Sequence, residues 1–395
     1  MQSSVLPPLA NIDRCLGEWQ DVSYPLALMA DRTRIVHTAT VLPPDVVSRF
    51  NATLPGAQLM IHTLIRCNKF RIPGFLVGVL VATAFTQTAS AAEPTRKFIA
   101  ADSSKHRVAI IDENGKTEWE HKIAGLHDLH VLPDGHVLLQ TSWTEVAEIN
   151  PANNETIWHY DAMKRPENHG KRLEIHAFQR LANGRTMVAE SGPGNIIELD
   201  NDLTVAHSMA LKVRKPDAHR DTRLVRKLES GNYLVCHEGD GLVREYDPGG
   251  KTVWEYAIPL FDRQRADGHG VEAFGNQCFS AIRLANGNTL LGTGNGHSLL
   301  EVTPAEQIIW SLHQNELPGI QLAWVTSLQV LPNGNILINN CHAGPDNPQL
   351  IEVNREKQVV WSFKDLDRFG DSLTNSQMLS VDGVPIPLDG ATLLR

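Results

Sequence analysis

Seventeen histidines in 395 residues, several of them beside carboxylates or inside basic loops, supply the reactive side chains of this sequence. Histidine titrates closest to neutral pH, and it serves as general base, nucleophile or metal ligand. His127 and His176 each stand just ahead of a short apolar segment, and in the following unit the same slot holds Arg223. An imidazole at that slot can act as base or nucleophile while Arg223 holds a sulfate, phosphate or carboxylate group. Glu190, His219, His237, Glu238, His269 and His342 are candidate ligand-binding residues around them, with His169 and His297 in the same classes of loop. Imidazole with carboxylate also suits a divalent metal, and His127, His176, Glu190, His237, Glu238 and His342 are a candidate set at the mouth of a channel. No short-range ligand motif specifies a metal, and a plain polar lining is the competing reading for each residue.

The elements that must position these side chains repeat. Six times, at a spacing of roughly fifty residues, an apolar segment runs into a Gly turn and a second apolar segment. The turns end at Gly135, Gly184, Gly231, Gly287, Gly334 and Gly383. Asp-Gly and Asn-Gly supply the positive backbone angles of tight hairpins, and the flanking runs are rich in Val, Ile, Leu and Thr. The first complete unit predicts strands over 127–132, 137–141, 145–149 and 156–160. Four antiparallel strands per unit define a propeller blade, whose radial packing leaves only short edges. Three strands at 97–101, 107–111 and 117–121 lack a first partner, and 374–381 offers one. The expected fold is therefore all-β, a six-bladed propeller of four-stranded antiparallel blades, with the N-terminal strands and a C-terminal strand closing the ring.

Repetition separates architecture from chemistry. Trp119, Trp158, Trp254, Trp310 and Trp361 fill one outer-strand slot, with Ala206 as the exception, and are expected to dock neighbouring blades. Glu148, Glu198, Glu245, Glu301 and Glu352 fill one third-strand slot and are expected to be structural acceptors. The histidines break the symmetry. Loops from a last strand to the next first strand, and from second to third strand, emerge on one face, which places most of the candidate histidines there. The 211–227 connection is basic, with Lys212, Arg214, Lys215, Arg220, Arg223, Arg226 and Lys227 against Asp217 and Asp221. The longest connection, after Trp254, adds Asp262, Arg263, Arg265, Asp267 and His269. A cationic mouth on a protein of net charge -9 predicts an anionic small molecule or glycan as partner. The acidic balance argues against nucleic acid.

The N-terminal region carries an address. Arg66, Lys69 and Arg71 precede an apolar run over 74–85 and the small residues Ala89 and Ala91, the pattern of a secretory signal peptide. The expected organisation is a non-native or disordered extension over 1–59, a signal peptide over 60–92 and the propeller over 93–395. The apolar run is too short for a membrane span, so a periplasmic or extracellular product without a stable span is expected. Cys236, Cys278 and Cys341 fall in different repeats and allow at most one disulfide.

Units such as Glu-Tyr-Asp-Pro-Gly-Gly-Lys-Thr-Val-Trp-Glu-Tyr at 245–256 resemble bacterial exported propellers of the pyrroloquinoline quinone-like repeat type, over 93–395. Quinoprotein dehydrogenases of that type use eight blades and adjacent cysteines. This chain has neither, which argues against that quinone as cofactor. The His-Asp-Leu-His-Val-Leu-Pro-Asp-Gly segment at 127–135 is similar to arylsulfotransferase-like propellers. That resemblance implies His127 or His176 as nucleophile and Arg223 as sulfuryl clamp. Three functions stay open: a binding propeller for an anionic ligand, a group-transfer or lyase-type enzyme, and a quinone-dependent oxidoreductase.

Overall fold

A computed structural model describes residues 93–388 and Arg395. The extension expected at 1–59 and the signal peptide expected at 60–92 lie outside the described residues. Six antiparallel sheets form a ring. Blade 1 consists of Leu129–Val131, Val137–Ser142, Glu145–Asn150 and Glu155–Asp161. Blades 2 to 5 begin with the inner strands Glu174–Arg180, Val225–Lys227, Ser280–Arg283 and Trp324–Val330. In blade 6 the inner strand Leu373–Val381 pairs with Arg96–Asp102, followed by Arg107–Ile111 and Thr117–Lys122. The closing sheet differs from the expected four strands, because the two-residue strand Val384–Pro385 folds back on Leu373–Val381 and makes it five-stranded. Its cause is the sixth Gly turn, where Asp382 and Gly383 both take positive φ and reverse the chain.

The six turn glycines have φ between +76° and +87°, an angle that a side chain would strain. With the turns set, the apolar strands pack blade on blade. Each junction holds a buried cluster, such as Ile99, Val108, Leu129 and Val137 between blades 6 and 1, and a smaller seventh cluster joins Leu224, Phe279, Trp324 and Cys341. Polar stitches join the same junctions. Each repeated Glu meets a cation of the next blade: Glu148 with Arg180 at 2.6 Å, Glu198 with Lys227, Glu245 with Arg283 at 2.8 Å, Glu301 with Arg355, and Glu352 with Arg96 at 2.6 Å. The repeated tryptophans are less uniform. Trp254 and Trp310 donate to backbone carbonyls of the next blade, but Trp119 donates to the Asn154 side chain and Trp158 Nε1 is buried without a partner.

Nearer the axis, inner-strand side chains bridge to the next inner strand. Gln179, Gln329 and Gln377 accept from the backbone N–H groups of Lys227, Met378 and Val131, and His130 Nε2 donates to the Phe178 carbonyl at 2.8 Å. Asp128 is fully buried and takes a two-pronged ion pair from Arg226, at 2.7 and 3.0 Å. Arg395 inserts beside them, donating to Asn375 Oδ1 at 2.6 Å, while its carbonyl accepts from Arg226. Among the described residues, Cys236, Cys278 and Cys341 are buried and free. No helix among the described residues is long and apolar enough to cross a membrane.

Candidate functional site

His127 and His176 open the inner strands of blades 1 and 2, and His219 lies on the connection into blade 3. The ring geometry brings all three together. Their ring centroids are 4.5 Å apart for His127 and His176, and 5.6 Å apart for each pair involving His219. Trp143, on the second-to-third-strand loop of blade 1, lies 5.1 Å from His127 and 5.7 Å from His219, and is 36% exposed. Gly125 permits that placement, because a Cβ there would meet the Trp143 ring at 2.6 Å.

Hydrogen bonds orient the cluster. The Thr222 carbonyl lies 2.7 Å from His176 Nδ1 and can only accept, so this nitrogen carries the proton. His176 Nε2 and His219 Nδ1 both face Glu174 Oε2, at 3.0 and 2.7 Å. Arg223 Nη1 lies 3.3 and 3.4 Å from the two nitrogens of His176, and its Nε donates to Glu238 Oε2. Glu238 Oε1 accepts from Gln277, whose own Oε1 accepts from Asn295 at 2.6 Å. Four of the side chains singled out from the sequence, His176, His219, Arg223 and Glu238, therefore share one network, and His127 packs its ring against it. Burial, reinforced by the Arg223 charge, pushes His176 down to about 4. The same causes, with His176 and His219 adding to them, hold His127 well below the ordinary imidazole range. His127 Nδ1 is buried without a hydrogen-bond partner.

Glu238 also floors a cleft of about 590 Å³ between blades 3 and 4. Lys215, Arg220, Arg265, Asp217, Asp267 and His269 line it. His269 stacks on Trp324 with ring centroids 5.0 Å apart and lies 5.4 Å from His342, so His269 lines the cleft and His342 stands beside it. Burial and the neighbouring His269 lower His342.

Other candidates stand apart with their polar atoms occupied. Glu190 accepts from Tyr160, Asn168 and Asn195, and takes two bonds of 2.8 Å from Arg165. His237 is fully buried between the Asp221 carbonyl and the Tyr246 hydroxyl, both at 2.9 Å. His297 faces the carbonyls of Ala323 and Ala273. The metal set sketched from the sequence does not assemble. Among the described residues, the triads whose ligand atoms converge within 4.8 Å are Glu174, His176 and His219, and Asp134, His136 and Glu148. Glu174 and Trp143 were missed by the sequence reading. The Glu-x-His spacing of 174 and 176 was an available signal, since alternate residues of a strand share a face.

The family model described as outer membrane protein assembly factor BamB matches residues 104–363, and the chain belongs to that family. No curated protein matches the chain. Among solved structures, a protein of unknown function from Bacteroides caccae is 22% identical with a TM-score of 0.60, covering 72% of this chain and 98% of that one. A streptogramin B lyase is 11% identical with a TM-score of 0.47, covering 68% and 80%. A virginiamycin B lyase from Staphylococcus aureus, solved with quinupristin, is 10% identical with a TM-score of 0.45, covering 68% and 84%. At these identities the Bacteroides caccae likeness concerns the fold alone, and the two lyases inform nothing further.

Proposed function

We propose that the protein is an exported propeller that binds an anionic small molecule or glycan at the His-rich mouth of its ring. One observation carries this reading. Lys215, Arg220 and Arg265 surround a single cleft, and none of them pairs within 4.0 Å with a carboxylate of the described residues. Arg223 already neutralises Glu238. Three free cations thus face Asp217 and Asp267, which suits a ligand that presents an acidic group together with hydroxyl donors. The exposed Trp143 indole nearby offers a face for stacking on a sugar ring. A periplasmic or extracellular location fits both the signal-like N-terminal region and a family described from an outer membrane assembly factor.

Calorimetric titration with uronate or sulfated oligosaccharides, and with their neutral counterparts, tests the reading. The acidic ligands bind and the neutral ones do not, added salt weakens binding, and the double change R220E/R265E lowers affinity by more than about 10-fold. Equal binding of neutral ligands, or full affinity in the double variant, overturns it.

A group-transfer or lyase-type reaction at His127 or His176 is the second reading, favoured by the buried, unpartnered Nδ1 of a neutral His127. Turnover of an aryl sulfate or a uronate polymer that vanishes in H127A would support it. Turnover unchanged in H127A and H176A would end it.

A further inference from the structure

The contact between His176 and Glu174 is chemically incomplete. His176 donates its Nδ1 proton to the Thr222 carbonyl, so in the neutral ring Nε2 presents a lone pair, whose one nearby donor is Arg223 Nη1 at a long 3.4 Å. Glu174 Oε2, 3.0 Å away, presents another. The same oxygen lies 2.7 Å from His219 Nδ1. Two imidazole nitrogens and one carboxylate oxygen therefore point at a shared space, with all three atoms within 4.8 Å of one another.

We propose that Glu174 Oε2, His176 Nε2 and His219 Nδ1 bind a first-row divalent cation of the Zn2+ type. The donor set is the mixed imidazole and carboxylate kind that Zn2+ accepts at about 2.0–2.2 Å. Drawing Glu174 back by a few tenths of an ångström opens the present contacts to the spacing such bonds need. The outer contacts fit as well. Ligating histidines almost always donate their second nitrogen to a carbonyl or carboxylate, as His176 does to Thr222. A second, independent feature adjoins the three donors. His127 is 7% exposed, its ring lies 4.5 Å from that of His176, and its Nδ1 has no partner. Its nitrogens lie outside the set that converges within 4.8 Å, so it would meet a metal-bound water and not the metal itself.

The other convergent triad provides a control. His136 already binds Glu148 at 2.8 Å, and Asp134 is exposed. His136 and Glu148 therefore form an ordinary hydrogen-bonded pair at the turn face, where Arg180 already neutralises Glu148.

This inference does not depend on the cleft binding an anion, and its test uses the metal alone. The full chain, purified without a metal-affinity tag and stripped with chelator, is titrated with ZnCl2 by calorimetry and with Co2+ by visible absorption. Wild-type protein takes up one equivalent and gains thermal stability from it. E174Q and H219A each weaken uptake by more than about 100-fold, beyond what loss of an outer hydrogen-bond partner costs. Their melting without metal shows that they fold, His219 being 40% exposed at its side chain. H136A binds as wild type does. Absence of stoichiometric uptake by wild-type protein, uptake unchanged in E174Q and H219A, or uptake lost in H136A would overturn the assignment.

Discussion

Asp128 and Arg226, 98 positions apart, meet beside the central axis in a two-pronged ion pair. Asp128 belongs to the entry of blade 1 and Arg226 to the inner strand of blade 3, so the pair reaches past blade 2. Asp128 also accepts from the Phe178 backbone of blade 2 and from Asn375 of blade 6. A single carboxylate thus bonds to three other blades. Its Arg226 partner, with His130 assisting, holds the carboxyl far below the usual carboxylate range against the effect of burial. D128A leaves Arg226 buried without its main counter-charge and lowers unfolding stability by about 3–5 kcal/mol, measured by urea denaturation. A loss below about 1 kcal/mol would show that the pair is not a structural hub.

Stability should also depend on pH through buried imidazoles. His237 and His130 are both pushed down to about 4, chiefly by burial. In the unfolded chain they titrate near ~6.5, so on acidification the unfolded state binds protons first. Their contribution is complete above ~6.5, declines as pH falls towards about 4, and changes no further below that. Urea midpoints across this window fall with pH, and H237Q has the shallower slope. Identical slopes for the two proteins would refute the assignment of His237 to this effect.

The unpartnered nitrogen of His127 predicts a stability effect of the opposite kind. An aromatic hydrocarbon in its place removes a buried polar atom with no bond to lose, so H127F melts at or above the wild-type temperature. H176F, by contrast, strands the Thr222 carbonyl and loses about 1–3 kcal/mol. Destabilisation of H127F by more than about 1 kcal/mol would make His127 part of the framework instead.

Gly125 and Trp143 give a test of sugar stacking. A methyl group at 125 collides with the indole, and G125A therefore displaces Trp143 from the imidazoles without touching the cations of the cleft. Acidic saccharides lose affinity in G125A by about 10-fold, whereas a small inorganic anion is unaffected. Equal losses for both would mean that Trp143 has no stacking role. Titration of each ligand into wild-type and G125A protein decides between them.

The ring was legible because its signals are local and repeated. Gly135 to Gly383 mark the turns, and the unmatched strand at 374–381 found its partner in Arg96–Asp102. The framework role of the Glu slot followed from repetition, since a residue present in five blades cannot belong to one site, whereas the Trp slot is buried only at Trp119 and half-buried in the other four. The imidazole cluster was legible only in part. His127, His176 and Arg223 announced themselves by breaking a repeated slot, but Glu174 sits two residues ahead, where its counterparts Gly125, Asp221, Gln277 and Trp324 share no residue type from which a departure could be read. His237 and Glu190 were misleading for the opposite reason. Their bonds go to Tyr246 and Arg165, partners that no spacing in the sequence ties to them.

Thr95 and Asp382 exchange two hydrogen bonds of 2.9 Å across 287 positions, where blade 6 draws its strands from both termini of the ring. Topologically the propeller has a seam and no true beginning. A peptide tether across that seam, with fresh ends cut into an exposed turn such as Asn333 and Gly334, would relocate the break to another blade and yield a circular permutant. Every blade would then be covalently continuous except the one chosen, and the mouth with its imidazoles would be unaware of the change.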